Sequence, residues 1–277
     1  MHIRPARSRF CAQHSLAPRS VAGLSTSSLD ARSRVLVIGG SEEYAGAPYL
    51  AGIAALRTGA ESVVIMAPEK VAWTINALSP DLMTRKLKGR YITKAHERTI
   101  RRQMETADIL VLGNGAGTRE GTARLFRSLM LSPLPKVVDA DALKVLQANR
   151  VSNAILTPNE GEWELLEKHN DVKKLAALNV IIQKGFPTKI WTRRVHIFIR
   201  PNKGLNKAGT GDILAGMCAG YLAQGLSPLA AAKKACETGN TIANILTKKK
   251  RGSPGRTGHF LASDLARELE YLSSGKV

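Results

Sequence analysis

From Arg34 onward the chain repeats one pattern: a short apolar run, then a glycine or polar cluster, then a longer stretch with helical patterning. Val35-Leu36-Val37-Ile38 ends in Gly39-Gly40, and Ile109-Leu110-Val111-Leu112 runs into Gly113-Asn114-Gly115-Ala116-Gly117. Lys136-Val137-Val138 meets Asp139-Ala140-Asp141, Ala154-Ile155-Leu156 meets Thr157-Pro158-Asn159, and Val180-Ile181-Ile182-Gln183 meets Lys184-Gly185. Strands this short and apolar are buried on both faces, as in a parallel sheet covered by helices on each side. Helices are predicted over 48–58, 68–78, about 93–105, 120–131, 142–148, 160–169, 212–224, 228–246 and 262–271, with a further strand over 62–66. Right-handed crossovers then stack these units into one α/β domain with a mainly parallel central sheet. Segments 189–192 and 195–199 read as a hairpin added to it.

That pattern starts at residue 34. Residues 1–33 carry Arg4, Arg7, Arg9, Arg19 and Arg32 among serines, with Asp30 as their acid and no apolar periodicity. Such a leader fits a disordered basic extension, an organellar transit peptide or a start placed upstream of the working one. Residues 34–277 form the second unit, the α/β domain. Three cysteines at wide spacing, Cys11, Cys218 and Cys236, make neither a disulfide framework nor a zinc site, and a cytoplasmic location is expected unless the leader directs import. No apolar run approaches the roughly 18 residues of a membrane span. The net charge of +19 suits anionic ligands, whether nucleotides or nucleic acid. Only 5% of residues are aromatic, which argues against a surface that reads nucleic acid by stacking bases.

In an open α/β sheet, ligands bind beyond the carboxyl ends of the strands, where this sequence concentrates its glycines and polar side chains. The Gly113-x-Gly115-x-Gly117 cluster lacks the G-x-G-x-x-G spacing of a dinucleotide fingerprint, and no G-x-x-x-x-G-K-[ST] loop occurs. Gly209-Thr210-Gly211-Asp212 opens the apolar helix Ile213-Leu214-Ala215-Gly216-Met217. Free amides at a helix start suit a phosphate or a developing oxyanion, and a carboxylate beside them can take a proton from a hydroxyl. Asp212 could equally be an ordinary first-turn acid. Asn159-x-x-Glu162 can hold a hydrated Mg²⁺ beside phosphates, or can simply form a capping box. Asp139 and Asp141 lie at the same edge, as polar contacts or caps.

Together, in order, Gly39-Gly40-Ser41, Tyr44-Ala45-Gly46-Ala47-Pro48, the Gly113–Gly117 cluster, Asp139-Ala140-Asp141-Ala142-Leu143, Thr157-Pro158-Asn159-Glu160-Gly161-Glu162, Lys184-Gly185 and Ala208-Gly209-Thr210-Gly211-Asp212-Ile213-Leu214-Ala215-Gly216 resemble the ADP/ATP-dependent NAD(P)H-hydrate dehydratases, a branch of the ribokinase-like superfamily. The match spans roughly residues 34–270. It implies a ribokinase-like three-layer sandwich and repair of the S epimer of hydrated NADH or NADPH. The expected route is phosphorylation of the hydrate hydroxyl by ADP or ATP with Mg²⁺, then loss of phosphate. Residue by residue, Asp212 resembles the base, and Ala47, Gly115, Asn159 and Asp212 the hydrate-binding positions. Lys184, Gly185, Phe186, Pro187, Thr188, Gly209, Thr210 and Gly211 resemble the nucleotide side. Asn159 and Glu162 would hold the metal through water or phosphate. A separate NAD(P)H-hydrate epimerase and a homo-oligomeric state are also expected. The alternative is a ribokinase-like kinase acting on a sugar or vitamin-precursor hydroxyl; a different class is an RNA-associated protein on a degenerate kinase fold.

Overall fold

A computed structural model describes residues 33–251 and 259–273. The leader at 1–33 lies, except for Ser33, outside the described residues. In chain order the elements are β1 (Arg34–Ile38), α1 (Gly46–Arg57), β2 (Ser62–Pro68), α2 (Glu69–Leu78), β3 (Met83–Leu87), α3 (Glu97–Met104), β4 (Ile109–Leu112), α4 (Glu120–Leu129), β5 (Lys136–Val138) and α5 (Asp141–Lys144). They continue with β6 (Ala154–Leu156), α6 (Glu160–His169), α7 (Val172–Leu178), β7 (Val180–Gln183), β8 (Thr188–Trp191), β9 (His196–Ile199), α8 (Thr210–Ala223), α9 (Pro228–Arg251) and α10 (Ala262–Ser273). Among the described residues no helix is long and apolar enough to cross a membrane.

One sheet runs β3-β2-β1-β4-β5-β6-β7-β8-β9. Neighbours pair in parallel as far as β7, and the β8–β9 hairpin closes that side antiparallel. Strand alternation divides the core in two. Val35 and Val37 of β1 and Ile109 and Val111 of β4 face a layer that includes Ala51, Val71, Ile213, Ala231 and Leu265. Leu36, Ile38, Leu110 and Leu112 face Ile100, Phe126, Leu143, Leu166 and Leu175 on the opposite side. The result is the three-layer α/β sandwich predicted from the short apolar strands. Helix α8 is apolar around nearly its whole circumference and is accordingly buried along most of its length.

Two elements go beyond the sequence-based expectation. Strand β3, Met-Thr-Arg-Lys-Leu, lies at the sheet margin and buries only Thr84 and Leu87, so it lacks the apolar signature of its neighbours. Helix α7 starts where Asp171 accepts hydrogen bonds from the Lys173 and Lys174 amides, after Asn170 has broken α6 in an extended conformation. Helix α5 is shorter than 142–148: the chain leaves helical geometry at Val145, with φ −105° and ψ 0°, and the positive φ of Ala148 and Asn149 keeps it from resuming.

Lys136, the first residue of β5, is fully buried, and its ammonium donates to the Ser152 carbonyl at 2.7 Å. Burial pulls its pKa down to about 8. The folded state therefore releases this proton more readily than the unfolded chain, and stability rises with pH from about 8 toward the ordinary lysine value. Lys136→Met should stabilise the protein by about 1–2 kcal/mol at pH 7, with the gain shrinking by pH 10. Urea unfolding at both pH values checks this; a loss of stability at pH 7 would refute it.

Candidate active site

The parallel strands deliver their polar termini to one edge of the sheet. After β4 the chain turns at Gly113, with φ of 111°, so close to β5 that a Cβ there would lie 2.2 Å from the Asp139 carbonyl. Only glycine admits that approach. The next residue, Asn114, is fully buried and donates from Nδ2 to Asp139 Oδ2 at 3.0 Å and to Asp212 Oδ1 at 2.7 Å. Asp139 Oδ1 also accepts from the Thr157 hydroxyl at 2.6 Å and from Lys184 Nζ at 3.0 Å. Lys184 Nζ lies 3.8 Å from Glu162 Oε2. The ends of β4, β5, β6 and β7, with the starts of α6 and α8, thus meet in one charged cluster.

Electrostatics follow from that crowding. Burial, then the Asp139 charge, pushes the Asp212 carboxyl up to about 7, while the Asn114 hydrogen bond and Lys184 pull the other way. Burial likewise raises the Glu162 pKa, against the opposing effect of Lys184. For Lys184, burial works against the charge, yet Asp139 and Glu162 outweigh it and hold the ammonium above its usual value. Lys184 is therefore a fixed cation, and Asp212 is a carboxylate able to exchange a proton near neutrality.

Helix α8 begins at Gly209, in the left-handed region at φ 83°, where a Cβ would strike Leu50 and Ala262. A Cβ on Gly211 would come within 3.2 Å of Lys184 Nζ, so the bare backbone leaves open space beside that ammonium. The amides of a helix's first turn have no acceptor within the helix and favour an anion there. Thr210 lines the same edge, and its polar groups are bonded to the loop before the helix. Its hydroxyl donates to the Leu205 and Lys207 carbonyls, and its amide reaches the Lys207 carbonyl at 3.3 Å. It ties down the preceding loop.

A cavity of about 1080 Å³ opens here. That is at the upper end of small-molecule sites, about 300–1,000 Å³. Asn159, Glu162, Lys184, Gly185, Phe186, Pro187, Thr188, Gly209, Thr210, Gly211 and Asp212 all line it. At its mouth Phe186 is exposed, with the Arg200 guanidinium 5.6 Å and the Lys203 ammonium 5.8 Å from its ring. Ala47 and Gly115 are not among its walls. Gly115 directly follows Asn114, and a Cβ on it would approach the Ala47 Cβ to 3.0 Å and the Tyr44 Cβ to 2.7 Å, so the two positions adjoin each other. Asp212 therefore sits where the cavity meets the loops that follow β1 and β4.

Asn159 and Glu162 form the capping box of α6. Asn159 Oδ1 accepts from the Glu162 amide and Glu162 Oε2 from the Asn159 amide, both at 2.9 Å. Among the described residues no group of three or more His, Cys, Asp or Glu side chains could hold a metal by itself. Oxygen donors at a phosphate-accepting edge, without a protein cage, match how Mg²⁺ is held through phosphates, waters and one or two carboxylates. The Asn159 and Glu162 oxygens at this edge are compatible with an ion held in that way.

The comparisons bear on both fold and site. A ribokinase-like superfamily protein from Enterococcus faecalis superposes with a TM-score of 0.74 at 20% identity, over 91% of this chain and 90% of that one. The fold is therefore ribokinase-like. An ADP/ATP-dependent NAD(P)H-hydrate dehydratase from Bacillus subtilis, crystallised with ATP and Mg²⁺ and soaked with CoA, superposes with a TM-score of 0.69 at 25% identity, over 90% and 93% of the two chains. A bifunctional NAD(P)H-hydrate repair enzyme of Methanothermobacter thermautotrophicus is 36% identical over 254 residues, which are 84% of this chain and 48% of that one. Residues 35–265 match the NAD(P)H-hydrate dehydratase family, and the chain belongs to that family. It spans about half the length of the curated relatives it matches.

Asn114 and its bonds to both aspartates were not foreseen from the sequence. The glycine cluster flagged the turn, but nothing local in it indicated a bridge between carboxylates.

Proposed function

We propose that this protein dehydrates the S epimer of hydrated NADH and NADPH back to the reduced cofactor, a hydro-lyase activity driven by ADP or ATP with Mg²⁺. The observation that carries this reading is the Asp212 carboxylate, held at the start of α8 beside first-turn amides and the Lys184 ammonium, at the rim of a cavity large enough for a nucleotide. Membership of the family supports the substrate, and the ATP and Mg²⁺ of the Bacillus subtilis relative support the co-substrate and ion.

Asp212 accepts the proton of the hydrate hydroxyl as that oxygen attacks the terminal phosphorus, and the shortened nucleotide departs. The Gly211 and Asp212 amides and Lys184 stabilise charge on the transferring group. Hydroxide leaves poorly and phosphate leaves well. The ring nitrogen lone pair then expels phosphate with the C–O electron pair, and loss of the adjacent carbon's proton restores the double bond. Gly185, Phe186, Pro187 and Thr188 border the nucleotide, while Ala47, Gly115 and Asn159 border the hydrate. Asn159 and Glu162 would hold Mg²⁺ through water or phosphate, where the ion would neutralise phosphate charge.

A dehydratase that takes the S configuration alone leaves the other epimer to a separate epimerase. Buried free thiols at Cys218 and Cys236 support a reducing, cytoplasmic setting. Exposed apolar side chains on the marginal strands, Met83 on β3 and Phe198 on β9, support a homo-oligomer, to be read by light scattering. The decisive assay supplies purified S hydrate, Mg²⁺ and ADP or ATP, and follows absorbance at 340 nm. Recovery that depends on nucleotide is expected. Its absence, alongside stable phosphorylation of a small alcohol, would assign the site to a kinase instead.

A further inference from the structure

Asn114, at the centre of the cluster, has no task in the proposed reaction. It lies between two strand-end glycines and is sealed from solvent. Its two amide hydrogens go to two carboxylates on different elements, Asp139 at the end of β5 and Asp212 in the first turn of α8. Its Oδ1, also buried, has no partner among the described residues. The opposite orientation of the amide would set its carbonyl against both carboxylates, so the donor orientation is the one compatible with their ionised forms. Leaving an acceptor unpaired in the interior is costly, and a leucine of similar size would avoid that cost. Packing gives no reason to keep an asparagine here; the two bonds at its other end do.

We infer that Asn114 is a positioning residue: its carboxamide clamps Asp212 against the Asp139–Lys184 pair and aims the free oxygen of Asp212 toward an incoming hydroxyl. This rests on reading Asp212 as the group that takes the hydroxyl proton. Three observations point the same way. Asp139 is immobilised independently by Thr157 and Lys184, so it is a fixed anchor for the clamp. Gly113 brings the β4 end within contact of β5, which sets Asn114 at bonding distance. The backbone carbonyl of Asn114 accepts from the Gly40 amide at 2.8 Å, so the residue is fixed to the turn after β1 as well. The charged groups that act on Asp212 are Asp139, Lys184 and Asp141, and Asp141 is itself paired with Lys144 at 2.8 Å. None of them replaces a neutral donor at Asp212 Oδ1.

Two measurements test it. In the parent protein, without ligand, the side-chain amide resonances of Asn114 should shift with pH along the same curve as the Asp212 carboxyl carbon. In Asn114→Ala, the Asp212 midpoint should move up by about one pH unit, since a donor to the carboxylate is gone. Turnover should fall about 10–100-fold, with the Michaelis constants of both ligands within about threefold of the parent. An unchanged midpoint with turnover within threefold of the parent would overturn the inference. If the variant does not fold, the parent measurement decides: amide resonances indifferent to the Asp212 titration would overturn it equally. The NMR titration is independent of the substrate. A protein whose Asn114 follows Asp212 yet leaves the hydrate untouched would sink the dehydratase reading and keep the clamp.

Discussion

Asp212→Asn should retain the fold and bind adenine nucleotide within about threefold of the parent, while turnover falls by about 10²–10⁴-fold, the usual contribution of a general base. Asparagine conserves volume and can still accept from Asn114 at the position of Oδ1, so the cluster keeps its geometry and loses only the proton acceptor. The parent's pH dependence carries a matching signature. Asp212 must be ionised to work and its pKa is about 7, so kcat/KM should rise with pH through neutrality and level off above it. Stability should show the reverse trend. The folded state holds this proton more tightly than the unfolded chain does, so between the ordinary value of 3.8 and about 7 the parent loses stability as pH rises. The asparagine variant has no such loss and at pH 8 should melt at or above the parent. Turnover within tenfold of the parent would remove Asp212 from the chemistry.

How much of such a site is legible in the sequence depends on how local its parts are. Gly209 to Asp212, Asn159 to Glu162 and Lys184 to Thr188 are contiguous, each at the end of a strand or the start of a helix, and one cavity collects them all. Strand periodicity was equally legible: alternate residues of β1 and β4 enter opposite core layers. The bridge at the centre of the site escaped because it joins chain segments far apart in sequence. Asn114 reaches Asp139 across 25 positions and Asp212 across 98, and no spacing rule connects them. Ala47 and Gly115 came from the resemblance alone; they adjoin each other and are not among the cavity's lining residues. Thr210 sits inside a legible motif but turns its hydroxyl back on the loop, a choice set by the Leu205 and Lys207 carbonyls. Strand β3 was hidden because a marginal strand with one margin in solvent can be mostly polar.

Gly216→Ala should cost about 2–3 kcal/mol of stability, and Gly216→Leu should leave no soluble folded protein. Helices α1 and α8 meet through a seam of small residues. A Cβ at Gly216 would lie 2.1 Å from the Ala51 carbonyl and 2.7 Å from the Ala54 Cβ. One turn later, a Cβ at Gly220 would lie 2.0 Å from the Thr58 hydroxyl, which is itself bonded to the Ala54 carbonyl at 2.7 Å. Because the obstacle at Gly216 includes backbone, no rotamer change relieves it and the helices must separate. Alanine's helical advantage over glycine, about 1 kcal/mol, offsets only part of the overpacking, which reaches about 3 kcal/mol or more when a backbone has to move. Separation would also reach the chemistry. Asp212 is one turn upstream on α8, and α1 carries Ala47 against Gly115, next to Asn114. Displacing a reacting group by about 1 Å can cost about 10²-fold in rate, so turnover should fall along with stability. Gly121→Ala is the control. Gly121 lies in α4, where the nearest neighbours of the added methyl would be the Thr93 side chain and Cα, at 3.4 Å or more, and it should leave stability unchanged or raise it slightly. Urea unfolding of both variants separates helix propensity from the seam: equal midpoints would show that α1 and α8 do not need bare backbone where they cross.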